Sequence, residues 1–478
     1  MDEQRNDEIR PITPRRRKRS KMQIFKEAYL PVVIAGAALL LIVIFIIGSI
    51  SRSVQIKNAE KEASIAASSS VQAEYERLAG EVSSLMLQAD YLASIYDIPG
   101  AIAVLENFSG DASEFPELGA KINELNDELS NMTVWSDPAQ VTSLSFQLLI
   151  ADAERAFSNG TYGTAYNRNF VTVGEFQKIL QQLYDNGYIL VGLDDIFATE
   201  TTESGAEVLR AKSLFLPTGK KPLLLTQTNV NYNTYMIDGD GDKLPDKDGA
   251  GFASKLVLDA DGTLTCQMID STGSAVTGAY DLVPVLDAFI ETNPDFSYRG
   301  AKAVIAVTGY DGLFGYRTNA EAEETFGSDV YYEEIAAAGN IAFALWESGY
   351  EIACYTYDNV PYGEYSEAQI EADLSGWTAE VMPILGDVDI LAFAQNSDIS
   401  DLTPYTGAKY NLLSNAGFKY YLGFCSEGNA FASVTDDYAR IGRILVTGSN
   451  LAYHADWFTG MFDAASVLDT AARGTIPS

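Results

Sequence analysis

Lys221–Tyr232 reads KPLLLTQTNVNY. Pro222–Thr226 has the length and apolar character of a buried strand, and it runs directly into a polar cluster, Gln227-Thr228-Asn229. In an α/β fold the C-terminal end of a core strand is where chemistry is usually placed. Here that end carries two amides and a hydroxyl, with no carboxylate, imidazole or thiol among them.

The sequence around this stretch alternates between strand and helix patterns. From Val141 onward, VTSLSFQLLI, YILVGL, KPLLLTQTN, AKAVIAVTGY, EIACYTY, DILAFAQ, KYYLGFC and ARIGRILVT give about eight strand signals. Between them, Thr172-Val173-Gly174-Glu175 has the capping-box pattern, followed by an amphipathic helix over Phe176–Tyr184 that Asn186-Gly187 ends. YDLVPVLDAFIETNP, Glu321–Glu347, Gln369–Leu385 and Tyr410–Leu413 also read as helical. This rhythm predicts an α/β fold, a mostly parallel sheet with helices outside, and the strand number favours a closed, distorted (β/α) barrel.

The N-terminal part is different. Residues 11–28 contain RRRKRSK and no acid before Glu27, and Leu30–Ile50 has no charged residue. At about 1.5 Å per residue that run spans a hydrocarbon core of roughly 30 Å. It is too long for a signal-peptide core and lacks the polar face of an interfacial helix. The expected order is a basic cytoplasmic tail (1–29), a transmembrane helix (30–51), a helical stalk or packing module (52–140) and an external domain (141–478), with an insertion around 233–279. The basic tail stays inside by the positive-inside rule, which makes the chain a single-pass plasma-membrane protein with its C-terminal domain outside. YLASIYDIPGAIAVLENF resembles a tetratricopeptide helix pair, but one copy cannot build a solenoid.

Composition narrows the function. The formal charge is −34, which argues against nucleic acid as a partner. A single histidine, His454, excludes sites needing two imidazoles from one chain. Cys266, Cys354 and Cys425 form no CxxC pattern. Buried thiols are the expectation for Cys354 and Cys425, with a bridge between them left open. The Tyr331-Tyr332 and Tyr420-Tyr421 pairs suit either a sugar-stacking platform or ordinary strand composition.

The order of elements, FQKILQQLYDNGYILVGLDDI before the third strand, and ESGYEIACYTYDN together resemble the polysaccharide deacetylase (NodB-homology, carbohydrate esterase family 4-like) family from Val141 to the C-terminus. FSYRGAKAVIAVTGYDGLFGYRT and FDAASVLD resemble a membrane-bound bacterial branch of it. The resemblance implies a divalent metal held by one aspartate and two histidines, an aspartate base, and a late histidine acid. In such a site the metal lowers the pKa of its bound water so that hydroxide can attack an acetamide. The family's Asp-Asp pair falls on Thr228 and Asn229, and its two metal histidines fall on Tyr355 and Asn359. The third motif falls on Phe393-Ala394-Gln395-Asn396, and His454 does not match the last histidine.

Three functions follow as expectations. The first is a pseudoenzyme that binds envelope polysaccharide or peptidoglycan through Gln227, Thr228, Asn229, Tyr355, Asn359, Gln395, Asn396, Asp311 and Arg317, with no transition metal. The alternative is an active polysaccharide deacetylase or other carbohydrate hydrolase with non-standard residues, for which Asp311, Arg317, Asp358 and Asp398 could share one barrel face. The third is a scaffold for envelope protein partners. Separately, Asp238, Asp240, Asp242 and Asp246 in DGDGDKLPDKD follow the alternate-ligand order of calcium loops. Lys243 stands where an EF-hand has glycine and the closing glutamate is missing, so a structural calcium and a plain surface turn both remain open.

Overall fold

A computed structural model describes residues 69–477 except 402, 426, 427, 429 and 430. The basic tail, the apolar run 30–51 and the start of the helical segment lie outside the described residues. No helix among the described residues is long and apolar enough to cross a membrane.

Seven of the predicted strands pair edge to edge: β1 (Thr142–Phe146), β2 (Lys221–Thr228), β3 (Ala303–Val307), β4 (Glu351–Cys354), β5 (Ile390–Ala392), β6 (Tyr420–Phe424) and β7 (Ala439–Leu445). Each pairs in parallel with the next, and β7 pairs in parallel with β1, so the sheet closes in chain order. The ring is uneven, since β4 and β5 share one register pair (Cys354 with Leu391) and β7 and β1 share two. Successive side chains of a strand point to opposite faces. Accordingly Leu224, Ala306, Ala353, Ala392, Leu422 and Ile441 belong to one core, inside the barrel, and their neighbours Leu223, Leu225, Ile305, Ile352 and Leu391 to another, under the helices.

The eighth strand signal, YILVGL, is not part of the ring. Tyr188–Leu190 pairs with Lys221–Leu223, on the early part of the β2 edge whose later part, Leu225–Thr228, belongs to β3. β2 is long enough for its edge to be shared, and the barrel closes with seven strands.

Local signals set the helices. Thr172 Oγ1 accepts from Glu175 N at 3.1 Å and Glu175 Oε2 accepts from Thr172 N at 2.8 Å, completing the capping box of helix Val173–Asp185. The expected helix Glu321–Glu347 is two helices, Ala320–Phe326 and Ser328–Glu347, divided at Gly327, whose φ of 88° leaves the helical region. The insertion forms a three-stranded antiparallel sheet, Lys255–Leu258, Leu264–Ile269 and Ala275–Gly278. A hairpin of Phe197–Thr201 with Glu207–Ala211 is additional to the elements read from the sequence.

The helices Ser69–Ser94, Ile98–Glu106 and Pro116–Ser130 share a core that includes Ala89, Ile98, Leu105, Phe115 and Leu125. They pack against the barrel end where strands begin. Tyr96 stacks on Tyr298 at 6.3 Å and donates to Asp295 O at 2.9 Å, and Arg299 pairs with Asp97 at 2.8 Å. Thr133–Trp135 then pairs with Leu214–Leu216, just ahead of β2. The opposite end, where the strands finish, is free of this layer.

Candidate functional site

The finishing ends of five strands surround a cavity of about 170 Å³. β1 supplies Ser145 and Phe146 with Gln147 directly after it, and β2 supplies Thr228 with Asn229 directly after it. Tyr355 and Asn359 come from the turn after β4, Gln395 and Asn396 from the turn after β5, Leu445 from the end of β7, and Val446 and Thr447 from the residues that follow it. Six of the nine residues expected to bind substrate therefore share one cavity wall: Thr228, Asn229, Tyr355, Asn359, Gln395 and Asn396.

The turns that present these groups are strained. Asn229, Asn359, Gln395 and Asn396 have φ of 61°, 52°, 51° and 57°, and β-branched Thr356 has 60°. Left-handed backbone suits asparagine among non-glycine residues and is unfavourable for threonine. Such residues cost about 1–3 kcal/mol each and tend to collect at binding and active sites. The surrounding bonds hold them in place. Asn231 clips the tail of β2 to the end of β3, donating to Thr308 O at 2.8 Å and accepting from Thr308 N at 2.9 Å. Thr356 Oγ1 accepts from Val360 N at 2.8 Å, and Gln395 Nε2 donates to Asn359 O at 2.6 Å. The Tyr355 hydroxyl and the side-chain amides of Asn359 and Asn396 make no hydrogen bond among the described residues, so they face the cavity with their donors and acceptors available.

Three expected residues are placed elsewhere. Gln227 sits on the outward face of β2, because Leu224, Thr226 and Thr228 take the inward one. Its amide donates to the buried Asp281 Oδ1 at 2.6 Å, and the Tyr232 hydroxyl donates to Asp281 Oδ2 at 2.7 Å. Burial raises the Asp281 carboxyl above the ordinary range, against the opposing effect of these donors. Asp311 and Arg317 brace the start of the insertion. Asp311 Oδ2 accepts from Thr234 N at 2.6 Å, and Arg317 donates to Asp311 O at 2.6 Å and Tyr232 O at 2.8 Å.

The other carboxylates considered for hydrolysis are also outside the lining. Asp398 Oδ2 accepts from Arg440 Nε at 2.9 Å and Nη2 at 2.6 Å, and the Tyr405 hydroxyl donates to Oδ1 at 2.6 Å. Burial raises its pKa, and the Tyr405 and Arg440 contacts oppose that rise. Asp358 is exposed, its backbone N–H held by Asp373 at 2.8 Å. His454 stacks on Trp457 at 4.4 Å, beyond the helix Gly448–Tyr453. Thr447, which caps that helix by accepting from Asn450 N at 3.0 Å, lines the cavity.

Arg443 was not anticipated. It lies on an inward position of β7 and is buried beneath the cavity. Its Nε donates to Gly423 O at 3.1 Å, Nη2 to Phe393 O at 3.0 Å, and Nη1 to Ser145 Oγ at 3.4 Å. Burial draws the guanidinium below its ordinary value, with Tyr355, Cys425 and Asp398 acting against this. A guanidinium starts high enough to remain charged. The usable signal was parity: in ARIGRIL, Arg443 falls on the same face as Ala439 and Ile441.

In the insertion, Asp238, Asp240 and Asp246 each bring a carboxylate oxygen within 4.8 Å of the others. Asp242 is not in this trio; its Oδ1 accepts from Leu244 N at 2.8 Å. Lys243 has φ 68°, the conformation a glycine would take at that point. Cys266, Cys354 and Cys425 are all buried free thiols, so no bridge joins Cys354 to Cys425.

Neither a protein-family model nor a curated protein sequence matches the chain. Among solved structures, the Streptococcus pyogenes deacetylase PplD in complex with acetate matches over 65% of this chain and 93% of that chain, at 12% identity and a TM-score of 0.33. The barrel assignment rests on the strand pairings themselves.

Proposed function

We propose that the barrel mouth binds cell-envelope polysaccharide without hydrolysing it. On this reading the protein is a deacetylase-related pseudoenzyme, anchored by Leu30–Ile50 with its barrel outside the cell. The observation that carries the proposal is the cavity lining: amides, hydroxyls, one tyrosine and apolar groups, with the polar groups of Tyr355, Asn359 and Asn396 unengaged. Amides offer both donors and acceptors to sugar hydroxyls, and an aromatic face suits the CH face of a sugar ring. Hydrolysis of an acetamide needs a general base and an electrophile or oxyanion partner at the reacting carbon. The lining holds no carboxylate, imidazole or thiol, and Asp398 and Asp358 are engaged or placed elsewhere.

The same lining bears on metals. Zinc, cobalt and nickel prefer imidazole and thiolate, with carboxylate as a further ligand, and hydroxyl and amide oxygens hold them weakly. The purified chain is therefore expected to carry far less than one equivalent of transition metal by elemental analysis after dialysis. A stoichiometric metal that Asn229→Ala or Asn359→Ala removes would overturn the proposal.

A further inference from the structure

Four arginines are buried: Arg317, Arg440, Arg443 and Arg473. Three of them have a carboxylate, with Arg317 at 3.6 Å from Asp311, Arg440 at 2.6 Å from Asp398, and Arg473 at 2.6 Å from Glu175. Arg443, only 1% exposed, has none within ion-pair distance among the described residues. Its partners are two backbone carbonyls and the hydroxyl of Ser145, the last at the outer limit of a hydrogen bond. A guanidinium has five N–H donors, so two are left without a partner here. Burying a cation without a counter-ion is costly, and the cost falls if a ligand brings the missing negative charge.

Position makes the charge relevant. Ser145, which touches the guanidinium, also forms part of the cavity wall. Beside it on the inward face, the hydroxyls of Ser143 and Thr226 have no hydrogen-bond partner among the described residues, and Thr226 is the register neighbour of Ser145. A cation with no ion-pair partner among the described residues therefore underlies a cavity lined by neutral groups, with Ser145 touching both.

We infer that the cavity selects an acidic sugar, with the carboxylate of the sugar directed toward Ser145 and Arg443 and the amides taking its hydroxyls. This rests on the glycan reading of the barrel mouth and adds the class of sugar to it. Charge attraction of this kind weakens with salt where the path to solvent is open.

The test uses the purified full chain and three forms of one probe, a glucuronic-acid-containing oligosaccharide: the free acid, its methyl ester and its carboxyl-reduced alcohol. Calorimetry is expected to show the acid binding at least about tenfold more tightly than the ester or alcohol. Arg443→Gln, checked for folding by circular dichroism, is expected to lose that preference while keeping affinity for the ester. Because the arginine is buried, the variant can fail to fold; the acid-to-ester ratio of the unmodified chain then decides alone. Equal affinity for acid and ester overturns the inference and leaves glycan binding standing. Absence of binding to all three forms overturns both.

Discussion

Asn229, Asn359, Gln395 and Asn396 have in common both a left-handed backbone and a place on the cavity wall. Strain and exposure of polar groups coincide at one place, which is the pattern of a site maintained for binding rather than for stability. Asn359→Gly separates the two effects. It relieves the backbone at φ 52° and removes the amide, so the melting temperature is expected to stay level or rise slightly. Glycan affinity, by titration calorimetry, is expected to fall about tenfold, the value of one to two hydrogen bonds. Unchanged affinity would mean that the amide faces solvent without a ligand. At this scale legibility was uneven. The identities of the mouth residues could be read because strand ends and the family resemblance marked them. The orientation of Gln227 could not: β2 is apolar on both faces, so no polar alternation in LLLTQT tells which residues point inward. Arg443 was hidden for a related reason, since a charged residue inside an apolar strand reads as an edge or surface position until the ring is seen to close.

Elements fixed by neighbours in sequence were legible, and those fixed by distant contacts were not. The capping box at Thr172–Glu175 is local and forms as expected. That Glu175 also pairs with Arg473, both side chains fully buried, depends on a contact spanning 298 residues. A second local device, the short helix Leu193–Ile196, allows a pH test. Asp195 caps it, accepting from Gly192 N at 3.0 Å, and burial raises its carboxyl from 3.8 to about 6. Between these values the folded chain holds more protons than the unfolded one, so the stability this group contributes at low pH is lost as pH rises through 6. Asp195→Asn keeps an acceptor for Gly192 N and removes the titration. Denaturant melts at pH 4 and pH 7 are expected to show a smaller pH-dependent loss in the variant, by on the order of 2 kcal/mol. An identical slope would place the pH dependence elsewhere. The acidic loop offers a second element-scale test. Three carboxylates within 4.8 Å repel one another unless a cation shares them. Millimolar calcium is expected to raise the melting temperature, and Asp240→Ala to abolish the rise; no rise in the parent leaves the loop a plain turn.

For the whole molecule, the repeating order of strand and helix was enough to predict a closed parallel barrel, because each crossover returns the chain to the same side of the next strand. Seven of the eight strand signals close the ring; YILVGL also forms a strand, but it shares the β2 edge with β3 and stays outside the ring. The docking of the helical segment was beyond sequence reading as well. It depends on Tyr96 meeting Tyr298 and Asp97 meeting Arg299 across about 200 residues, and none of these has a local pattern that declares its partner. The consequence is that, among the described residues, one end of the barrel is covered by helices and the other carries the polar cavity. The central claim is that this cavity binds glycan and lacks turnover. The most direct measurement incubates the purified full chain with N-acetylated oligosaccharides, with and without added divalent metal, and follows binding and acetate release together. The account predicts saturable binding with no acetate released above the background of a Tyr355→Ala, Asn396→Ala double variant. Acetate release that survives stringent purification and disappears in that variant would contradict it.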